Sequence, residues 1–120
     1  MAEHNELGKE GEELAKKHLL EKGYKIEASN WRFGKDEIDI IAKEGDYIVF
    51  VEVKTRKTNY FGDPETFVTK AKQKFMIRAA QVYITRNEID YEARFDIVAV
   101  LYGQKKVHIH HIEDAFYPTL

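Results

Sequence analysis

The chain contains no cysteine, which excludes disulfide bridges and zinc–thiolate centres and suits a reducing, cytoplasmic setting. It has no apolar run long enough to cross a bilayer, and its first residues lack the basic-then-apolar pattern of a signal peptide. An excess of positive charge is missing as well. Against 19 lysines and arginines stand 21 aspartates and glutamates, a formal net charge of −2, which argues against a protein that merely coats DNA. No glycine-rich phosphate loop and no Ser/His/Asp order stands out. Neither repeat, low-complexity segment nor linker interrupts the 120 residues, so positions 1–120 read as one soluble globular domain with one core.

What is present is a regular succession of elements. Good helix formers fill Asn5 to Lys22 and stop before Gly23, a C-terminal cap. Tyr24 to Arg32, Asp36 to Lys43 and Tyr47 to Arg56 read as three strands, and Thr66 to Arg86 as a second helix. Lys57 to Glu65, with Gly62 and Pro64, is a polar loop between them. Arg94 to Leu101 and Lys105 to Ile112 make two more strands around a Tyr102–Gly103 turn. The order α-β-β-β-α-β-β predicts an α/β domain with a mixed sheet.

The chemistry concentrates between Gly34 and Arg56, GKDEIDIIAKEGDYIVFVEVKTR. Gly45-Asp46, flanked by alternating β-branched and aromatic residues, reads as a two-residue hairpin turn. Glu44 then pairs with Tyr47, Asp39 lies opposite Glu52, and Glu37 lies opposite Lys54. Side chains alternate along a strand, so these four are expected on one face. Carboxylates opposed across a ladder have Cβ atoms about 5 Å apart and repel unless a cation sits between them. Mg²⁺ or Mn²⁺ suits the position, since Mg²⁺ takes one or two protein carboxylates plus water and phosphate oxygens. Lys54 reaches the same spot, where it can orient a water or stabilise charge on a phosphate. The alternative is a solvated sheet face carrying a Glu37–Lys54 pair beside an incidental acid.

An acid on one strand followed by Glu-Xaa-Lys on the next resembles the PD-(D/E)XK nuclease superfamily, with Asp39 as the first acid and Glu52-Val53-Lys54 as the second half. Four motifs in order, GKEGEELA, GKDEIDIIA, VFVEVKTR and HHIEDAF, resemble the bacterial YraN family, which is similar in fold to archaeal Holliday-junction resolvases. The resemblance covers nearly the whole chain. It implies a restriction-endonuclease-like core, αβββαβ with a mixed central sheet flanked by helices, and here an added strand. It also implies a metal-dependent nuclease, a reading the net charge leaves open, because such an enzyme needs only a local basic rim around an acidic centre. The chain departs from the pattern at Asp36-Glu37, where Gly-Glu is usual, and at Asp114, where Asn is common.

Helix geometry adds further polar groups. Leu7, Leu14, Ala15 and Leu19 form an apolar stripe on the first helix, with Glu12 at one edge and Glu10 near the other, and the wheel does not choose between them. The resemblance gives Glu12 the role of a third acid near the metal. On the second helix Lys70, Lys74, Arg78, Gln81 and Thr85 make a polar face opposite Phe75, Met76, Ile77, Ala80, Tyr83 and Ile84. Lys72 and Gln73 fall inside the apolar arc, where a lysine must snorkel or find an anionic partner. The resemblance directs this pair to the active site, Lys72 toward phosphate or carboxylate and Gln73 toward water or substrate. Lys54, Arg56 and Lys57, then Lys70, Lys72, Lys74 and Arg78, surround Tyr60, Phe61 and Phe67. Positive charge interleaved with aromatics suits a nucleic-acid backbone with an exposed base, although a solvated helix face over core aromatics gives the same pattern.

Near the end, His108, His110 and His111 complete no recognised metal spacing and read as ordinary histidines on an exposed strand. Asp96 is placed to fix Arg94 or a helix end, and Ala115 with Phe116 to seat the C-terminus on the core.

The expectation is therefore a Mg²⁺- or Mn²⁺-dependent endonuclease-like phosphodiesterase acting on DNA, including branched or flapped forms. Asp39, Glu52 and Glu12 would hold the metal, with Lys54 and Gln73 completing the catalytic set. Arg56, Lys57, Lys70, Lys72 and Lys74 would contact nucleic acid. Resemblance to dimeric resolvases suggests a homodimer. The rival readings are a non-catalytic nucleic-acid-binding module on the same fold and a protein-interaction adaptor using the loop aromatics.

Overall fold

A computed structural model describes residues 2–57 and 68–118, with side chains described from Glu6 onward. The loop aromatics Tyr60, Phe61 and Phe67 lie outside the described residues. In chain order the elements are α1 (Ala2–Glu21), β1 (Lys25–Phe33), β2 (Asp36–Glu44), β3 (Tyr47–Lys57), α2 (Lys70–Arg86), β4 (Glu92–Tyr102) and β5 (Val107–Phe116). This is the αβββαβ order expected of a restriction-endonuclease-like core, with β5 added at the edge. No helix among the described residues is long and apolar enough to cross a membrane.

The five strands form one mixed sheet in the order β1-β2-β3-β4-β5. The first three make an antiparallel meander, β3 and β4 run parallel, and β5 returns antiparallel to β4. A parallel neighbour needs a crossover, and α2 supplies it. Gly23 ends α1 at φ 92°, and Gly45 turns the β2–β3 hairpin at φ 56°. Both are left-handed positions where a side chain is strained. The second helix begins later than its pattern suggested. Thr69 is its N-cap, accepting from the Lys72 amide, so the helix starts at Lys70 rather than near Thr66.

Two apolar layers fix which helix covers which face. Ala15 and Leu19 of α1 pack with Ile40, Ala42, Val49, Val51, Val98 and Val100. Met76, Ala79 and Ala80 of α2 pack with Ile38, Ile41, Ile48, Phe50, Phe95 and Phe116 on the other side. Phe116 stacks on Phe95 at 5.2 Å between ring centroids, which seats the C-terminal segment on the core as expected. At Gly11, α1 lies so close to β3 that an added Cβ would fall 2.1 Å from Thr55 Oγ1.

A polar network ties β4 and β5 to the end of α1. The Arg94 guanidinium grips Asp96 in bidentate fashion at 3.0 and 2.8 Å, and also donates to Glu44 and the Tyr24 hydroxyl. Asp96 further meets His111 Nε2 at 2.7 Å and accepts from the Asp114 amide. Burial alone would raise the Asp96 pKa, but these partners hold it below the ordinary carboxylate value. The expected Arg94–Asp96 pair is thus present. His111 differs from expectation: its side chain is buried, because the strand turns it inward onto Asp96.

Candidate active site

The hairpin register is the one the turn dictates, but only part of the way. Glu44 pairs with Tyr47 and the ladder continues to Ile40 opposite Val51, where it ends. On the far side β3 keeps its pairing with β4 out to Lys57 opposite Tyr102. The sheet therefore splits between β2 and β3, one step before the expected Asp39–Glu52 and Glu37–Lys54 pairs. Instead of facing Glu52 across a ladder, Asp39 turns toward β3 and accepts the Val53 amide at 2.8 Å.

The single shared face is corrected for the same reason. Ile38 belongs to the α2 layer and Ile40 to the α1 layer, so strict alternation fails at Asp39. Glu37 then falls on the α1 side, whereas Glu52 and Lys54 alternate with Val51 and Val53 and fall on the α2 side. The split brings Asp39 and Glu52 together at the boundary. They line one open cleft of about 310 Å³ with Gly8, Glu12, Lys54, Thr55 and Arg56.

Burial, reinforced by the neighbouring Glu52 carboxylate, pushes the Asp39 pKa up to about 8. Glu52 itself is 5% exposed. Its Oε2 lies 3.4 Å from Lys54 Nζ, while its Oε1 is buried without a hydrogen-bond partner among the described residues. Lys72 reaches in from α2, donating to Asp36 Oδ1 at 2.9 Å and to the Glu37 carbonyl at 3.0 Å, and lying 3.8 Å from Glu52 Oε1. It has found the anionic partners that its place in the apolar arc demanded. Burial would raise the Asp36 pKa, but the Lys72 ammonium and the Glu37 amide hold it below the usual value.

The choice between Glu10 and Glu12 is now made by geometry. Glu10 turns away to accept from the Tyr102 hydroxyl. Glu12 faces the cleft, where burial raises its pKa against the opposing effect of Asn30. The Asn30 amide donates to Glu12 at 2.9 Å and to Glu37 at 3.3 Å, joining α1 to β2. Asn30 stands abreast of Asp39 between the Ser29–Ile40 and Trp31–Ile38 pairs and adopts φ 49°. Sequence reasoning passed over it. The available sign was an asparagine inside an alternating strand, a residue poorly suited to strands and tolerant of left-handed backbone.

Other expected site residues are placed less centrally. Gln73 donates its side-chain amide to the Val68 carbonyl at 3.2 Å, next to the start of α2. No bond from it to the carboxylates is found among the described residues. Arg56 lines the cleft and donates to the Thr55 carbonyl. Lys57, Lys70 and Lys74 are exposed, Lys57 at the end of β3 and the others on α2.

The fit of a divalent cation rests on Glu52 Oε1, buried without a hydrogen-bond partner among the described residues, beside the partly buried carboxylate of Asp39. Among the described residues no three His, Cys, Asp or Glu side chains converge as a ready-made metal cage. Glu12, engaged by Asn30, therefore does not join Asp39 and Glu52 as a third direct donor in this arrangement. Two carboxylates suit a hard cation whose remaining positions go to water and phosphate oxygens.

Comparison with known proteins gives the family. A profile described as "Uncharacterised protein family UPF0102" matches residues 11–100. A UPF0102 protein of Flavobacterium psychrophilum is 50% identical over 117 residues, 98% of each chain. One from Phocaeicola vulgatus is 45% identical over 120 residues, 100% of this chain and 99% of its own. One from Thermodesulfovibrio yellowstonii is 49% identical over 112 residues, 93% and 96% of the two chains. The matched span holds Glu12, Asn30, Asp39, Glu52 and Lys72 together, and on this agreement along the whole length the chain belongs to the uncharacterised protein family UPF0102.

Proposed function

We propose that the chain is a metal-dependent phosphodiesterase of PD-(D/E)XK type acting on nucleic acid, with DNA as the favoured substrate. The observation that carries this reading is the Asp39–Glu52 pair in the β2–β3 split, with buried Glu52 Oε1 lacking a hydrogen-bond partner among the described residues. A bound Mg²⁺ or Mn²⁺ would neutralise the pair and polarise a phosphoryl oxygen. Asp39 and Glu52 would hold it, the Val53 amide fixing the orientation of Asp39. Lys54, 3.4 Å from Glu52, would orient the attacking water and stabilise developing negative charge. Lys72 would approach a phosphate oxygen from the α2 side, and Arg56 and Lys57 would follow the backbone along the end of β3.

A specific observation also favours a second reading, a nucleic-acid-binding module without turnover. Lys54 and Lys72 already flank Glu52, so the carboxylate has cationic compensation from the protein itself. Calorimetric titration of Mg²⁺ and Mn²⁺ separates the two. Stoichiometric binding to the parent, none to Asp39→Asn/Glu52→Gln, and metal-dependent cleavage of branched or flapped DNA support the enzyme. DNA binding that persists in a chelator, with no cleavage of any structure, supports the module.

A further inference from the structure

A second recess opens beside the split and takes no part in the chemistry above. About 300 Å³ in volume, it is lined by Phe33, Gly34, Lys35, Asp36, Phe75 and Arg78, where the β1–β2 turn meets α2. Its apolar part is aromatic. The Phe33 and Phe75 rings are partly exposed and stand 6.1 Å apart, tilted by 41°. Trp31 stacks on Phe33 within 5° of parallel, which fixes the orientation of that ring. Gly34 sits at φ 65°, and a Cβ there would meet nothing within 4 Å, so the backbone turn leaves the rim open.

The rim is cationic. Lys35 and Arg78 are exposed side chains of the lining, and Lys72 Nζ lies 4.9 Å from the centre of the Phe75 ring. The one acid in the lining, Asp36, is neutralised by Lys72 at 2.9 Å. Flat aromatic surface inside a basic rim is complementary to a nucleotide, which offers a π-face and an anionic phosphate. A base within a duplex has both faces stacked, so only an unpaired base could enter. The recess is also continuous with the carboxylate site. Lys72 binds Asp36 at one end and approaches Glu52 at the other, and Asp36 and Asp39 are about 10 Å apart along β2 by strand rise.

We propose that this recess binds an unpaired nucleobase of the strand whose phosphate lies at Asp39 and Glu52, so that the preferred substrate carries a single-stranded nucleotide beside the reacting phosphate. The assignment rests on the reading of the chain as acting on nucleic acid. It names the feature of the substrate that the chain recognises.

The test is fluorescence titration in a chelator, so that neither metal nor cleavage enters the readout. One probe is a duplex with a single-stranded overhang carrying 2-aminopurine, and the other is a blunt duplex of the same length. The parent should quench the 2-aminopurine on binding and hold the overhang about tenfold more tightly than the blunt duplex. Phe75→Leu, which keeps apolar volume, should lose both the quenching and the preference. Lys35→Ala/Arg78→Ala alters only exposed side chains and so should fold as the parent does. It should weaken overhang binding more than blunt-duplex binding. Binding without quenching, or equal affinity for the two probes in the parent, overturns the base site and leaves the nuclease reading standing. If neither probe binds at all, the nucleic-acid reading falls, and the base site with it.

Discussion

Lys72 Nζ stands 3.8 Å from Glu52 Oε1, the carboxylate oxygen that has no hydrogen-bond partner among the described residues, and the two come from α2 and β3. The ammonium is close enough to lower the negative potential at the site but too far to satisfy the oxygen. Lys72→Met should therefore bind Mg²⁺ more tightly than the parent, because a like charge is removed. On the proposed phosphodiesterase reading it should nonetheless cleave about 10²-fold more slowly, because the cation assigned to the phosphate is lost. Calorimetry and single-turnover cleavage on one preparation read the two effects, and weaker metal binding in the variant would contradict the assignment.

Asp39 gives stability an unusual pH dependence. Its folded pKa is raised from 3.8 to about 8, chiefly by burial and then by Glu52. The folded state therefore keeps a proton that the unfolded chain releases once the pH exceeds the ordinary value. That contribution is fully present below about pH 4 and is lost as the pH rises through about 8, on the order of a few kcal/mol in all. Asp39→Asn should remove this part of the slope and be more stable than the parent at pH 8. Urea denaturation across that range checks it, and a steeper alkaline loss in the variant would count against the buried pair.

Asn30 should matter through its side chain and its backbone separately. Asn30→Gly keeps the φ of 49° and loses the two amide bonds, whereas Asn30→Ala loses both features. The glycine variant should fold with stability within about 1 kcal/mol of the parent, and the alanine variant should be less stable by a further ~1 kcal/mol. Both should release Glu12, visible as a shift of its carboxyl resonance in a pH titration. Equal melting of the two variants would show that the left-handed backbone carries no strain.

At the contact of α1 with β3, alanine at position 11 would gain helix propensity of about 1 kcal/mol. The 2.1 Å approach to Thr55 Oγ1 outweighs it, since overpacking commonly costs about 1–3 kcal/mol. Gly11→Ala should be destabilised, and adding Thr55→Ala should recover most of the loss. A double-mutant cycle by thermal unfolding measures the coupling; strict additivity would mean that the helix simply moves away.

Removing Asp96 should be the most damaging single change outside the apolar core. It would leave the Arg94 guanidinium buried with only its partners Glu44, Tyr24 and Glu113, and take away the acceptor for His111. Asp96→Ala should cost about 3–5 kcal/mol. Since the Asp96 pKa is depressed, its contribution is present above about pH 4 and lost as the pH falls through the folded value. Acid unfolding of Asp96→Asn, compared with the parent, isolates that titration.

Periodicity and turn chemistry made most of the fold legible, because both act locally. Gly23 and Gly45 sat where left-handed backbone was needed, and the Glu44–Tyr47 pairing followed from the turn alone. The carboxylates were legible as residues but not as geometry. A period of two assumes an unbroken ladder, and this one ends at Ile40–Val51 with alternation broken at Asp39. Lys72 was betrayed by its misplaced charge, since a cation within an apolar arc must reach an anion. Asn30 offered only a residue type ill suited to a strand, and His111 no sign at all. Their roles depend on partners 18 and 15 residues away, and only the assembled sheet brings those together.

The split itself has a consequence for how this chain can be improved or worn down. Repairing the ladder past Val51 would add backbone hydrogen bonds, and replacing Asp39 and Glu52 with apolar residues would let the two strands close. Selection for robustness alone would favour both changes and erase the cleft. Stabilised descendants of this sequence should therefore be sorted by where their gains lie, since those gathered between Asp39 and Val53 mark a scaffold that has traded its chemistry for cohesion.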